Sequence, residues 1–124
     1  MITPGFNVDS QLLETKSPVV VSLQDMFDSI EIMANNHELP RNLKILEDAC
    51  GTQVTFTAQE LKLIGDKLMI LTPRFDTIHH AVVHDSPINT VYGMMLSKNY
   101  LPKNYILEIF ATREAGFNWL KFKH

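Results

Sequence analysis

The sequence predicts a single α/β domain, a mixed but mostly parallel sheet of about five strands carrying about four helices. Three observations predict it. Extended apolar runs alternate with helix starts along the whole chain, in the order VVVSL, LKILEDA, TIHHAVVHDS and YILEIFA, each followed by a helical pattern. A 45% hydrophobic content over 124 residues is enough to fill one core. No internal repeat, low-complexity stretch or linker divides the chain, so residues 1–124 read as one domain with residues 1–5 as a loose tail.

The elements follow in order. Phe6, Val8, Leu12 and Leu13 suggest an N-terminal strand broken by polar residues, the antiparallel element of the sheet. Ser17-Pro18 punctuates the chain, and the β-branched Val19, Val20 and Val21 predict a buried strand. Ser22 and Asp25 cap a helix whose Met26, Phe27, Ile30 and Met33 form one apolar stripe. Leu39-Pro40 closes that region. The run from Asn42 to Ala49 then predicts the central strand, with Leu43 and Ile45 in phase and Leu46 one step out of phase.

Gly51 turns the chain, and Val54 and Phe56 form a short extended stretch. Thr57 with Glu60 three residues on is a capping box for a helix from Ala58 to about Met69, ended by Pro73. Gly65 inside it costs about 1 kcal/mol relative to alanine and marks close packing. Thr77 to His84 predicts the next strand. Ser86-Pro87 supplies an N-cap and a first-turn proline for a helix packed through Val91, Tyr92, Met94 and Met95. The last strand centres on Tyr105, Leu107 and Ile109, and Thr112 caps a terminal helix docked by Phe117, Trp119 and Leu120.

Composition narrows the partners. Fourteen Asp and Glu against eleven Lys and Arg leave a formal charge of −3, without the basic excess that binding a phosphate backbone requires, so nucleic acid is not expected. No apolar run approaches the roughly 20 residues of a membrane span, so no membrane insertion is expected. The single cysteine, Cys50, cannot form an intramolecular disulfide and no signal-peptide pattern opens the chain, which predicts a cytoplasmic location.

The stretches AVVHDSPINTVYGMM and EIFATREAGFNWL carry a resemblance. Through Pro87, Tyr92, Gly93, Met94, Glu114, Ala115, Trp119 and Leu120, and through PRNLKILEDACG between Pro40 and Gly51, the chain resembles small bacterial proteins with a SpoIIAA-like, or STAS-like, fold. The likeness covers roughly residues 40–121. It implies a non-enzymatic regulatory or protein-interaction module that self-associates as a homodimer. In anti-sigma-factor antagonists of this class a serine in an Asp-Ser/Thr-Ser-Gly motif is phosphorylated. Here Asp48-Ala49-Cys50-Gly51 puts a thiol at that place, and Thr52 to Phe56 intervene before the helix, so the phosphoswitch does not carry over.

Ligands of open α/β sheets bind beyond the carboxyl ends of parallel strands, where helix N-termini expose amide donors. Three such ends offer Asp48 and Cys50, then His84, Asp85 and Ser86, then Arg113, which together are the candidate ligand-binding rim. A Cys50–His84 pair with a carboxylate is the ingredient list of a thiol nucleophile. The plainer reading of Cys50 is a small packed apolar side chain with a raised pKa, that of Asp85 and Ser86 is helix capping, and that of Arg113 is a solvated charge. His80 and His84 share one strand face with His79 on the other, but ligands about 13 Å apart along a strand cannot share an ion, so no metal or cofactor is expected. His37 and His124 read as surface residues. The expected function is therefore the non-catalytic interaction module, with a carrier or sensor of a small apolar or anionic ligand as the alternative and a Cys50-dependent enzyme behind both. An exposed apolar helix face favours the first, an apolar cavity the second, and a Cys50–His84 hydrogen bond the third.

Overall fold

The structure, a computed structural model, describes residues 4–122. Most of the expected tail and His124 lie outside these; Pro4 and Gly5 form a turn whose Gly5 carbonyl accepts the Glu14 N–H at 2.9 Å. Seven strands and four α-helices follow: β1 (Phe6–Asn7), β2 (Leu12–Lys16), β3 (Val20–Val21), α1 (Leu23–Asn35), β4 (Asn42–Asp48), β5 (Gln53–Val54), α2 (Leu61–Leu71), β6 (Thr77–Val83), α3 (Pro87–Asn99), β7 (Tyr105–Phe110) and α4 (Arg113–Lys121).

The main sheet has five strands in the order β1-β2-β4-β6-β7, with β1 antiparallel to β2 and every other pair parallel. β4 is central, as its apolar run predicts. The N-terminal strand resolves into two, because the polar stretch between Asn7 and Leu12 is the turn of a hairpin rather than an interruption. The expected strand at Val19–Val21 is the clearest correction. Only two of its residues are extended, they pair with β5 in a separate two-stranded sheet, and only Val21 is buried.

Local signals account for the helix starts. At α1, Ser22 Oγ accepts the Asp25 N–H at 3.1 Å while Asp25 Oδ2 accepts the Ser22 N–H at 2.9 Å, a reciprocal capping box. Glu60 Oε1 accepts the Thr57 N–H at 2.9 Å, and a short 3₁₀ turn, Ala58–Glu60, precedes α2. Ser86 Oγ and Thr112 Oγ1 accept the N–H groups of Asn89 and Ala115 at the starts of α3 and α4. Gly65 does mark close packing: a Cβ there would sit 2.5 Å from the Tyr100 carbonyl oxygen.

The sheet divides two unequal cores. Leu43 and Ile45 of β4, Ile78 and Val82 of β6, and Tyr105 and Leu107 of β7 face the side covered by α1, α2 and α3. Leu12, Leu46, Ala81 and Val83 face the other, covered by α4 through Leu120. Leu46 is out of phase with its neighbours because it serves this second face. Three apolar residues expected to dock helices are exposed instead: Val91 and Met94 on α3 and Phe117 on α4. No helix among the described residues is long and apolar enough to cross a membrane.

Candidate functional site

α1 leans on α2 rather than lying directly on the sheet, and the space beneath it is a cavity of about 680 Å³. This is within the size range of small-molecule sites. Its walls are apolar: Met26, Ile30 and Met33 from α1, Ile45, Val82 and Leu107 from the sheet, Ile64 from α2 and Tyr92 from α3. Its rim runs through the solvent-exposed residues Lys16, Pro18, Val20, Asp25, Asp28 and Ile32, which open it to solvent between α1 and the end of β2.

Four polar side chains from four segments meet on the sheet side of this apolar space. Glu47 lies at the end of β4 in phase with Leu43 and Ile45, and His80 stands beside Ile45 in the register that joins β4 to β6. His80 Nε2 lies 2.7 Å from Glu47 Oε1, and His80 Nδ1 lies 2.6 Å from the Tyr105 hydroxyl. Ser17 Oγ donates to the second carboxylate oxygen, Glu47 Oε2. Against the ionised carboxylate the imidazole donates from Nε2, while its Nδ1 shares a hydrogen bond with the Tyr105 hydroxyl, which meets His80 alone among the described residues. The Glu47 and His80 side chains keep 26% and 15% of their surface, and that surface is cavity wall.

The electrostatics follow. Burial works to raise the Glu47 pKa, but hydrogen bonding and charge attraction from His80, the Ser17 hydroxyl and the nearby His84 outweigh it and hold the carboxyl below its ordinary range. Tyr105 is pushed well above the ordinary phenol value, first by burial and then by the Glu47 carboxylate, so it stays a protonated donor. Burial lowers the His84 pKa, against the opposing pull of Glu47 and Asp85.

His84 and Asn89 extend the polar wall. His84 Nδ1 sits 3.4 Å from Thr90 Oγ1, whose own proton goes to the Ser86 carbonyl at 3.0 Å. Asn89, in the first turn of α3, donates from Nδ2 to the Thr52 carbonyl at 2.8 Å, which fixes the orientation of its amide. Its Oδ1 is buried with no hydrogen-bond partner among the described residues. A buried acceptor left this way costs about 1–3 kcal/mol.

The six rim residues named from sequence do not form one site. The parallel strands bring Asp48, Cys50 and Arg113 together around a separate 220 Å³ cavity on the α4 side, with Glu14 and Thr112. Arg113 is engaged there, its guanidinium 2.8 Å from Glu14. His84 belongs to the opposite face and lines the large cavity. Asp85 accepts the Gly51 N–H at 3.2 Å, bracing the turn where Gly51 takes a φ of 77°, and Ser86 caps α3.

Cys50 is exposed, not the packed apolar residue expected, because it lies in the turn beyond β4 where the sheet has ended. Partial desolvation, then the Asp48 carboxylate and Asp85, still raise its thiol above the ordinary value. Its Sγ lies 3.8 Å from the Val83 carbonyl, and no hydrogen bond joins it to His84 among the described residues. No three His, Cys, Asp or Glu side chains among the described residues converge as metal ligands.

Sequence reasoning identified His84 but missed Ser17, Glu47, His80 in this role, Asn89 and the Tyr105 hydroxyl. One signal was present. Glu47 shares the parity of Leu43 and Ile45, and His80 that of Ile78 and Val82, which places ionisable groups on a face that is otherwise core. Compared with family models, with curated proteins and with solved structures, the chain gives no match.

Proposed function

We propose that this chain is a non-catalytic carrier or sensor that holds a small, largely apolar molecule between α1 and the sheet. The observation that carries this reading is the 680 Å³ cavity itself, apolar on most sides with a few convergent polar groups on one wall. Apolar walls supply the driving force, and Glu47, His80, Asn89 and Tyr105 supply orientation. A neutral fluorophore, N-phenylnaphthylamine, tests it. The reading expects saturable enhancement that Ser29→Trp abolishes, since Ser29 is exposed where the cavity opens and a bulky side chain there blocks entry without disturbing the core. Enhancement that is absent, or unchanged in Ser29→Trp, overturns it.

A second reading keeps the SpoIIAA-like resemblance in front, as a cytoplasmic regulatory module acting through protein contacts and pairing as a homodimer. What favours it is a stripe on α3, where Ile88, Val91 and Met94 recur every third residue and are all exposed. The two readings are compatible, because the stripe and the cavity use different faces of the helix layer. Sedimentation tests the second: a dimer at micromolar concentration supports it, and a monomer throughout leaves the cavity reading alone.

A further inference from the structure

We propose that the head group selected by this cavity is a protonated primary amine, carried on an aromatic or aliphatic body and received by Glu47; this rests on the ligand-binding reading above. Hydrogen-bond accounting on the polar wall points there. Tyr105 and His80 occupy each other, the His80 Nε2 and Ser17 protons go to Glu47, and one of the two Asn89 amide protons goes to the Thr52 carbonyl. What the carboxylate keeps is acceptor capacity: Ser17 and His80 each take one lone pair from the Glu47 oxygens, and the second lone pairs remain.

Charge agrees. Glu47 is a largely buried carboxylate whose only ion-pair partner among the described residues is His80. The other charged groups facing the cavity are Asp25 and Asp28 on α1 and Lys16 at the end of β2, which leaves three carboxylates against one ammonium. A cation carrying three N–H donors matches both the sign of the field and the surplus of acceptors. A buried carboxylate with a good geometric partner is also where a charge-assisted hydrogen bond is strongest.

The test uses three ligands with one body and three heads, titrated calorimetrically into the full chain near neutral pH: phenylbutylamine, phenylbutanol and phenylbutanoate. The expected order is amine, then alcohol, then acid, with the amine about tenfold tighter than the alcohol, the difference between a charge-assisted and a neutral hydrogen bond. Glu47→Gln should bring the amine down to the level of the alcohol and leave the alcohol unchanged. An alcohol equal to the amine, or an acid that binds tighter than either, overturns the proposal on the native protein alone, whether or not the variant folds. So does a folded Glu47→Gln that keeps its preference for the amine. If none of the three binds while N-phenylnaphthylamine does, the amine assignment fails and the cavity reading stands; if the fluorophore fails as well, both fall.

Discussion

Leu120→Ala should destabilise the domain by about 3–4 kcal/mol, although the side chain lies one residue from the end of α4. Leu120 is 1% exposed and sits among Leu12, Leu46, Ala81 and Val83, the small core on the side of the sheet that only α4 covers. Truncation removes three carbons, about 2.4 kcal/mol at roughly 0.8 kcal/mol each, and leaves a void whose lining loses its contacts for about a further kilocalorie. A helix of nine residues has little intrinsic stability, so it cannot compensate by holding its own shape. Urea denaturation followed by the fluorescence of Trp119, the only tryptophan, reads this helix directly through its contacts with Phe110 and His79. At a urea dependence of about 1–3 kcal/mol per molar the midpoint should fall by about 1–4 M. Phe117→Ala on the exposed side of the same helix should move it by less than about 0.5 kcal/mol. A Leu120→Ala midpoint within error of the parent, or equal shifts for the two variants, would refute the placement of this second core.

Three further outcomes follow from the geometry. Gly65→Ala should destabilise by about 1–3 kcal/mol in thermal melts even though alanine is the better helix former by about 1 kcal/mol, because the new Cβ would press on the Tyr100 backbone 2.5 Å away; a raised melting temperature would contradict that close approach. Glu47 has a folded pKa below its unfolded value, so its stabilising contribution is complete above the ordinary carboxyl range and is lost as pH falls through the folded pKa. The gap in denaturation midpoint between the parent and Glu47→Gln should therefore narrow on acidification from neutral pH toward about pH 3, and a gap independent of pH would oppose it. Exposed Cys50 should react with iodoacetamide more slowly than a free thiol at neutral pH, and Asp48→Asn should speed it; fast labelling of the parent would show that the neighbouring carboxylates do not restrain the thiol.

Much of the fold was legible because its signals are local. Ser22 with Asp25, Thr57 with Glu60, Ser86 with Pro87 and Thr112 each mark a helix start within four residues, and the structure uses every one. Strand parity likewise placed His80 and His84 on one face and His79 on the other, where it meets Trp119. The site was not legible in the same way. Ser17, Glu47, His80 and Tyr105 come from four segments, and only the registers Ile45 to His80 to Leu107 bring them together. Registers of parallel strands depend on how helices pack across the sheet, which no short stretch of sequence encodes. The exposed Val19, Val20, Val91 and Met94 show the converse limit: their chemistry predicts burial, but the sheet and helix positions available to them are already covered or face solvent.

Methyl-resolved NMR of the full chain, titrated with N-phenylnaphthylamine, tests the central claim most directly. Occupation of the cavity predicts saturable shifts at the methyls of Ile45, Val82, Leu107 and Ile109, which line it, and none at Leu12, Val83 and Leu120 across the sheet. Shifts confined to Ile88, Val91 and Met94 on the outer face of α3, or no shifts at all, would contradict it.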